Sequence, residues 1–97
     1  MQEVAAKTNT IHVRIVVDGR PIIDGAIPLY QLRRKIHEAL WEMREKVVFE
    51  IGDAFLELKR ISTISFELRN RKTSLLIHFI SISTLTERLY FYFLLEG

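Results

Sequence analysis

The sequence predicts an α+β fold in which a β-hairpin, one long helix and a three-stranded antiparallel meander follow one another, with the helix packed on one face of the sheet. Two different spacings of the apolar residues support this class. Apolar and polar residues alternate near the N-terminus and again in the last third of the chain, which is typical of half-buried strands. Between these regions, apolar residues recur every three or four positions, which is typical of an amphipathic helix.

The first predicted element is a hairpin. Apolar residues occupy alternate positions of the strand 10–17, and Asp18-Gly19 supplies the positive φ angles that a type I′ turn requires. The returning strand contains Pro21, which cannot donate to a ladder and therefore belongs at a sheet edge or a strand start. Asp24-Gly25 is expected to end this strand.

The second predicted element is a helix that begins near Pro28, a residue suited to the first helical position. Its apolar stripe runs from Leu29 to Ile61, which is 33 residues or about 50 Å of helix. A domain of this size has a radius of gyration of only about 13 Å. The helix is therefore expected either to bend at Gly52-Asp53 or to overhang and pack against a second copy.

A meander follows. Residues 64–69 alternate as a strand does, Asn70-Arg71 is a plausible turn, and the apolar segment 75–83 is predicted to be the central strand. Residues 84–88 are predicted to connect it to a closing strand at 89–95. This element order resembles that of cystatin-like and β-grasp modules, but a likeness of order implies no function.

Composition limits what the chain can be. Its 97 residues, 48% of them apolar, predict one domain over 1–97, with residues 1–9 flexible. The absence of cysteine excludes disulfides, a thiolate nucleophile and cysteine-ligated metals. The chain shows no secretory signal, and polar residues interrupt its longest apolar tract, so we expect a cytoplasmic protein with no membrane partner. Two asparagines and two glutamines are few, a usage typical of thermophiles.

Catalytic patterns are missing from the sequence. The three histidines, His12, His37 and His78, fall on different predicted elements without metal-ligand spacing. The glycines form neither a phosphate-binding loop nor a nucleophile elbow. Six carboxylates on the predicted helix are best explained as a solvated face: Glu38, Glu42, Glu45, Glu50, Asp53 and Glu57. We therefore expect no enzyme activity, no cofactor and no metal.

A basic cluster, Arg33, Arg34 and Lys35, lies just behind the predicted helix start, where the helix dipole is already positive. A phosphate or a partner's carboxylate bound there would relieve this conflict. The alternative is that an Arg34–Glu38 pair and solvent accommodate the charge.

A second basic cluster falls at the predicted hairpin tip. Basic tips keep sheet edges soluble, but here they sit near other cations and rings that a single-stranded nucleic acid would use. The residues concerned are Arg69, Arg71, Lys72 and Arg88, with Tyr90 and Tyr92 as stacking rings. A net charge of +2 gives such a platform only a weak electrostatic pull.

An outward strip of Tyr90, Tyr92 and Leu94 on the bare sheet face also predicts a protein interface, because aromatic residues are enriched there. His78, inside the apolar strand, is expected to be a core or interface histidine. The sequence therefore predicts a small non-catalytic binding module that forms a homodimer through its bare sheet face, its long helix, or both. The alternative is a DNA- or RNA-binding protein, and no small-molecule substrate is indicated.

Overall fold

The computed structural model describes residues 9–78 and 81–96. They form an antiparallel six-stranded sheet with two helices on one face, so the α+β class is confirmed. The strands are β1 (Thr10–Val17), β2 (Arg20–Pro28), β3 (Lys46–Ile51), β4 (Ala54–Ser62), β5 (Ser65–Asn70) and β6 (Ser74–His78). The helices are α1 (Leu32–Glu42), preceded by a 3₁₀ turn at Leu29–Gln31, and α2 (Ile82–Glu96).

The strands lie in the order β2-β1-β3-β4-β5-β6. The chain makes the β1–β2 hairpin, crosses the sheet as α1, and returns as β3 on the other side of β1. Three further hairpins then extend the sheet, leaving β2 and β6 as its edges. Alternate strand residues and one stripe of each helix form a single core. Its largest fully buried side chains are Phe49, Phe93, Ile15, Leu32, Ile36, Leu40, Ile51, Leu56 and Leu58.

The first hairpin has the predicted turn, because Asp18 and Gly19 both have positive φ, 52° and 83°. Pro21 lies on an edge strand, as predicted. The expected strand end at Asp24-Gly25 was wrong. Pairing with β1 continues through both residues, with Asp24 opposite Arg14 and within 3.6 Å of its guanidinium, so the strand runs on to Pro28.

The prediction of one helix from Leu29 to Ile61 was wrong, because α1 ends at Glu42. The next residues form β3 and β4, joined by a tight turn at Gly52, whose φ is 59°. Alternate residues of β3 are buried, so the same apolar residues that suggested a helical stripe also satisfy the two-residue period of a strand. No helix passes through Gly52, so neither the bend nor the dimer-spanning helix occurs. Only Glu38 and Glu42 of the six predicted helix carboxylates are helical.

The end of the chain also differs from prediction. The strand at 64–69 and the turn at Asn70-Arg71 are confirmed as β5 and the β5–β6 turn. The predicted central strand 75–83 is instead the edge strand β6, which ends at His78; residues 79 and 80 lie outside the described residues. The connection at 84–88 and the strand at 89–95 were wrong, because both belong to α2.

The helical state of α2 has local and tertiary causes. The Ser81 hydroxyl accepts a hydrogen bond from the Thr84 N–H (3.1 Å), which caps the helix start. Leu85, Leu89 and Phe93 are spaced four apart and buried together. Phe93 packs against Phe49 of β3, with ring centroids 5.6 Å apart. An alternating aromatic sequence thus becomes a helix because one stripe of it completes the core.

Candidate interaction surfaces

The face of the sheet that carries no helix, here called the open face, carries charged side chains interspersed with Val16, Val48, Phe55 and Leu76. Three of its ion pairs join neighbouring strands: Arg14–Glu50 (3.2 Å), Arg14–Asp24 (3.6 Å) and Lys46–Glu57 (3.5 Å). His12 Nε2 lies 3.8 Å from Asp24 of β2, and Arg69 pairs with Glu67 within β5 (3.6 Å). The Ser74 hydroxyl donates to Glu67 (2.6 Å) and, with Arg69 and Lys59 nearby, holds the pKa of that carboxyl below its usual value. The prediction that Tyr90, Tyr92 and Leu94 form a strip on this face was wrong, because all three belong to α2.

The predicted strip residues lie on α2 instead. Tyr90 is half-buried, with the guanidinium of Arg33 above its ring at 5.0 Å from the centroid. Tyr92 is half-buried toward the β5–β6 end of the sheet, and Leu94 is exposed. Two positions along a helix differ by about 200°, so the two tyrosines point in different directions instead of sharing a face.

The two edges of the sheet differ in how they are protected. In β2, Pro21 and Pro28 lack N–H donors, and Asp24 and Arg20 place charge along the strand. The sequence of β6 is Ser-Leu-Leu-Ile-His, with no proline, glycine, acidic residue, lysine or arginine. Its Leu75 and Leu76 are 59% and 57% exposed, and among the described strands β6 pairs with β5 alone. The sequence signal for this edge was the same uncharged run that had suggested a central strand.

An apolar groove of about 250 Å³ lies on the helix side of the sheet, between α2 and strands β5 and β6. Its apolar lining is Leu56, Leu68, Leu75, Ile77, Leu85, Leu89 and Tyr92. Its polar lining is Asn70, Thr73 and Arg88. Arg88 has no ion-pair partner within residues 9–78 and 81–96. We call this feature the β6 groove.

The β5–β6 turn borders a second depression of about 300 Å³ beside the β6 groove. Asn70 organises the turn, since its Oδ1 accepts from the backbone N–H groups of Lys72 (2.8 Å) and Thr73 (2.7 Å) and from the Thr73 hydroxyl (3.0 Å). Arg71, Lys72 and Tyr92 line this depression. The structure therefore places Arg71, Lys72 and Tyr92 together near Arg88. Arg69 lies instead on the open face, where it pairs with Glu67.

Arg33 and Arg34 of the first basic cluster line a cleft between the helices, with a volume of about 390 Å³. Arg33 pairs with Glu87 of α2 (3.1 Å). Glu38 pairs with Lys35 (3.7 Å), not with Arg34 as predicted. Arg34 has no ion-pair partner in the described part of the chain. The acidic groups thus neutralise much of the charge near the start of α1.

The same cleft contains a hydrogen-bonded chain that joins the helices. The Trp41 indole N–H donates to His37 Nε2 (2.8 Å), so the ring proton of neutral His37 is on Nδ1 and is donated to the Thr86 hydroxyl (3.1 Å). That hydroxyl donates to the Ile82 carbonyl (2.8 Å). His37 is therefore a structural residue of the helix pair. His12 and the exposed His78 lie elsewhere, and no group of three metal-ligating side chains occurs within the described ranges.

Two further findings concern the chain as a whole. Neither helix of the described residues has the length and apolar character needed to cross a membrane. Comparison with protein-family models, curated proteins and solved structures gave no match.

Proposed function

We propose that this chain is a small non-catalytic assembly module of the cytoplasm that forms a homodimer by pairing β6 of one copy with β6 of another. The observation that carries the proposal is the contrast between the two sheet edges. Prolines and charges block β2, whereas β6 exposes a row of backbone groups flanked by Leu75 and Leu76. An unblocked apolar edge strand is a template for pairing with another strand.

Symmetry restricts the register of such a pair. Two identical strands that pair antiparallel are related by a two-fold axis perpendicular to the sheet, which keeps each residue on the same face in both copies. Directly opposite residues also project to the same face, so one residue must lie opposite its own copy. Centring the pair on Leu76 uses all of β6. Ser74 then lies opposite His78, and Leu75 lies opposite Ile77 on the helix side. The axis is perpendicular to the sheet, so the helices of both copies cover the same face.

The size of this contact predicts its strength. A strand of five residues is only about 17 Å long, and its main-chain hydrogen bonds contribute about 1 kcal/mol each. Such a contact belongs with the smaller, transient protein interfaces. About five such bonds give about 5 kcal/mol, so we expect a dissociation constant on the order of 100 μM, which is within reach of sedimentation velocity.

Nucleic-acid binding has less support. Arg33, Lys35 and Arg69 already have acidic partners. Four of the predicted contacts have no acidic partner within the described residues. Arg71, Lys72 and Arg88 line the depressions at the β5–β6 turn, whereas Arg34 lines the cleft between the helices. Binding of a mixed-sequence oligonucleotide that weakens steeply with salt would favour this second function over the first.

The dimer is tested by placing charge at its centre. In Leu76→Lys, two ammonium groups would face each other across the two-fold axis, so this variant should remain monomeric at concentrations where the natural chain dimerises. Ala26→Lys is the matched control, because it adds the same charge to an exposed position of the other edge strand. Sedimentation velocity over a concentration series measures both.

A mixing experiment tests the register. Leu76→Lys and Leu76→Glu should each be monomeric and should form a mixed dimer when combined, because opposite charges then meet at the axis. A natural chain that remains monomeric up to about 1 mM would refute the proposal, since its contact would then be weaker than about 4 kcal/mol. Dissociation caused by Ala26→Lys rather than Leu76→Lys would assign the interface to β2 instead.

A further inference from the structure

The β6 groove has the shape and chemistry of a site for a chain-like apolar ligand. Its floor is formed by Leu56, Leu68, Leu75 and Ile77 of three neighbouring strands, and its wall by α2. Leu75 remains 59% exposed although it lies on the same side of the sheet as the core. A contiguous apolar groove of this kind exposes surface whose burial by a ligand is favourable.

The polar rim of the groove determines the charge of that ligand. Arg88 contributes a guanidinium without an acidic partner in the described ranges. Asn70 uses its Oδ1 for the β5–β6 turn, so its amide nitrogen, a donor, is the polar atom left over. Among the described residues, no carboxylate lines the groove. The rim therefore offers positive charge and a hydrogen-bond donor beside an apolar floor.

The nearest acidic groups are directed elsewhere. Asp53 lines the neighbouring depression, together with Arg71 and Lys72. Glu67 is on the open face, bonded to Ser74 and Arg69. Glu87 lies in the cleft between the helices and pairs with Arg33. None of these carboxylates competes for Arg88.

We infer that the β6 groove binds an anionic amphiphile, a long-chain carboxylate, with its alkyl chain along Leu68, Leu75 and Leu89 and its carboxylate at Arg88 and Asn70. The volume of about 250 Å³ lies just below the range of about 300–1,000 Å³ typical of small-molecule sites, so the groove would hold one alkyl chain and not a bulky ring system. The groove is formed within one copy, and two of its lining residues, Leu75 and Ile77, also border the proposed β6 pair on the helix side. The inference does not rest on the proposed dimer, because every described lining residue belongs to one copy.

Dodecanoate, used below its critical micelle concentration, is the test ligand. Calorimetric titration should give saturable binding, and methyl NMR should show shifts at Leu68, Leu75 and Leu89. Dodecanol should bind more weakly, and dodecyltrimethylammonium more weakly still, because the rim is cationic. In Arg88→Gln the affinity for dodecanoate should fall about tenfold, which is typical for the loss of a charge-assisted hydrogen bond, whereas the affinity for dodecanol should not change.

Arg34→Gln is the matched control, since Arg34 also lacks an acidic partner among the described residues but lines the interhelical cleft. It should bind dodecanoate as the natural chain does. Repeating the titration with monomeric Leu76→Lys separates this site from dimerisation, because the groove within one copy should still bind. The inference would be overturned by no saturable dodecanoate binding below about 1 mM, by equal affinities for the three amphiphiles, or by an Arg88→Gln variant that behaves like Arg34→Gln.

Discussion

Replacing Asp18 by alanine should remove the hydrogen bonds that hold the segment after α1 in place. The Asp18 carboxylate accepts the backbone N–H groups of Arg44 (2.8 Å), Glu45 (2.7 Å) and Lys46 (2.9 Å). The Asp18 N–H in turn donates to the Lys46 carbonyl (2.8 Å). One side chain of the β1–β2 turn thus binds the segment that leads from α1 into β3, and its loss should destabilise that segment first.

The expected magnitude follows from two contributions. Three hydrogen bonds to an exposed carboxylate contribute about 2 kcal/mol together, after allowance for solvent screening. Alanine at a φ of 52° adds about 1 kcal/mol, because it lacks the short polar side chain whose local hydrogen bonding lets aspartate adopt the left-handed region. A loss of about 3 kcal/mol corresponds to a fall in Tm of roughly 12–24 °C for a domain of this length.

Asp18→Asn is the matched control. Asparagine tolerates the left-handed turn and keeps one oxygen for Glu45 and Lys46, but its NH₂ group cannot accept from Arg44. The control should therefore lose only about 1 kcal/mol. Thermal and urea unfolding followed by circular dichroism measure both variants.

The pH dependence gives an independent readout. The three backbone N–H groups hold the pKa of Asp18 below its usual value. A carboxyl whose pKa is lower in the folded state adds stability above its unfolded pKa, near 3.9, and loses it as pH falls toward the folded pKa. Stability of the natural chain should therefore decline more steeply below about pH 4 than that of Asp18→Asn. This reasoning would be refuted if the Tm of Asp18→Ala lay within 3 °C (roughly 0.5 kcal/mol) of the natural Tm and its stability declined below pH 4 as that of the natural chain does.

The remaining predictions concern the contact between α2 and the rest of the fold. Phe93→Ala removes a fully buried ring that packs on Phe49, so urea unfolding should show a loss of about 3–5 kcal/mol; a loss below about 1 kcal/mol would mean that α2 is not part of the core. Thr86→Val keeps the shape of a side chain that is 2% exposed but removes the acceptor for His37 Nδ1. It should cost about 1–2 kcal/mol and alter the His37 ring signals in NMR, whereas unchanged signals would contradict the hydrogen-bonded chain.

The parts of the fold that were predictable are those fixed by nearby residues. The alternating strand at 10–17 and the Asp18-Gly19 turn need no distant partner, and the same holds for β5 and the turn at Asn70. The segment after Glu42 was not predictable, because its apolar spacing suits both periods. Its outcome depends on Asp18, which lies 26 to 28 residues away from the N–H groups it binds.

Helix α2 also could not be predicted from local residue propensities. Aromatic and alternating residues favour a strand locally, but burial of Phe93 against Phe49 selects the helix. Among the candidate contact residues, some positions follow from local sequence and others depend on the tertiary fold. Arg71 and Lys72 were correctly placed at a turn by local signals, whereas the pairing of Arg33 with Glu87 depends on how the two helices dock.

Because the chain crosses over through α1, the β1–β3 ladder joins strands that are far apart in the sequence. Val13 pairs with Ile51 across 38 intervening steps of the chain, whereas every other ladder of the described sheet is closed by a short turn. Entropy lost on loop closure grows with the length of chain enclosed, and contacts distant in sequence slow the search for the native topology. Two halves with local contacts, the first hairpin and the four-strand meander, must therefore meet along β1 and β3, and we expect that encounter to limit the folding rate.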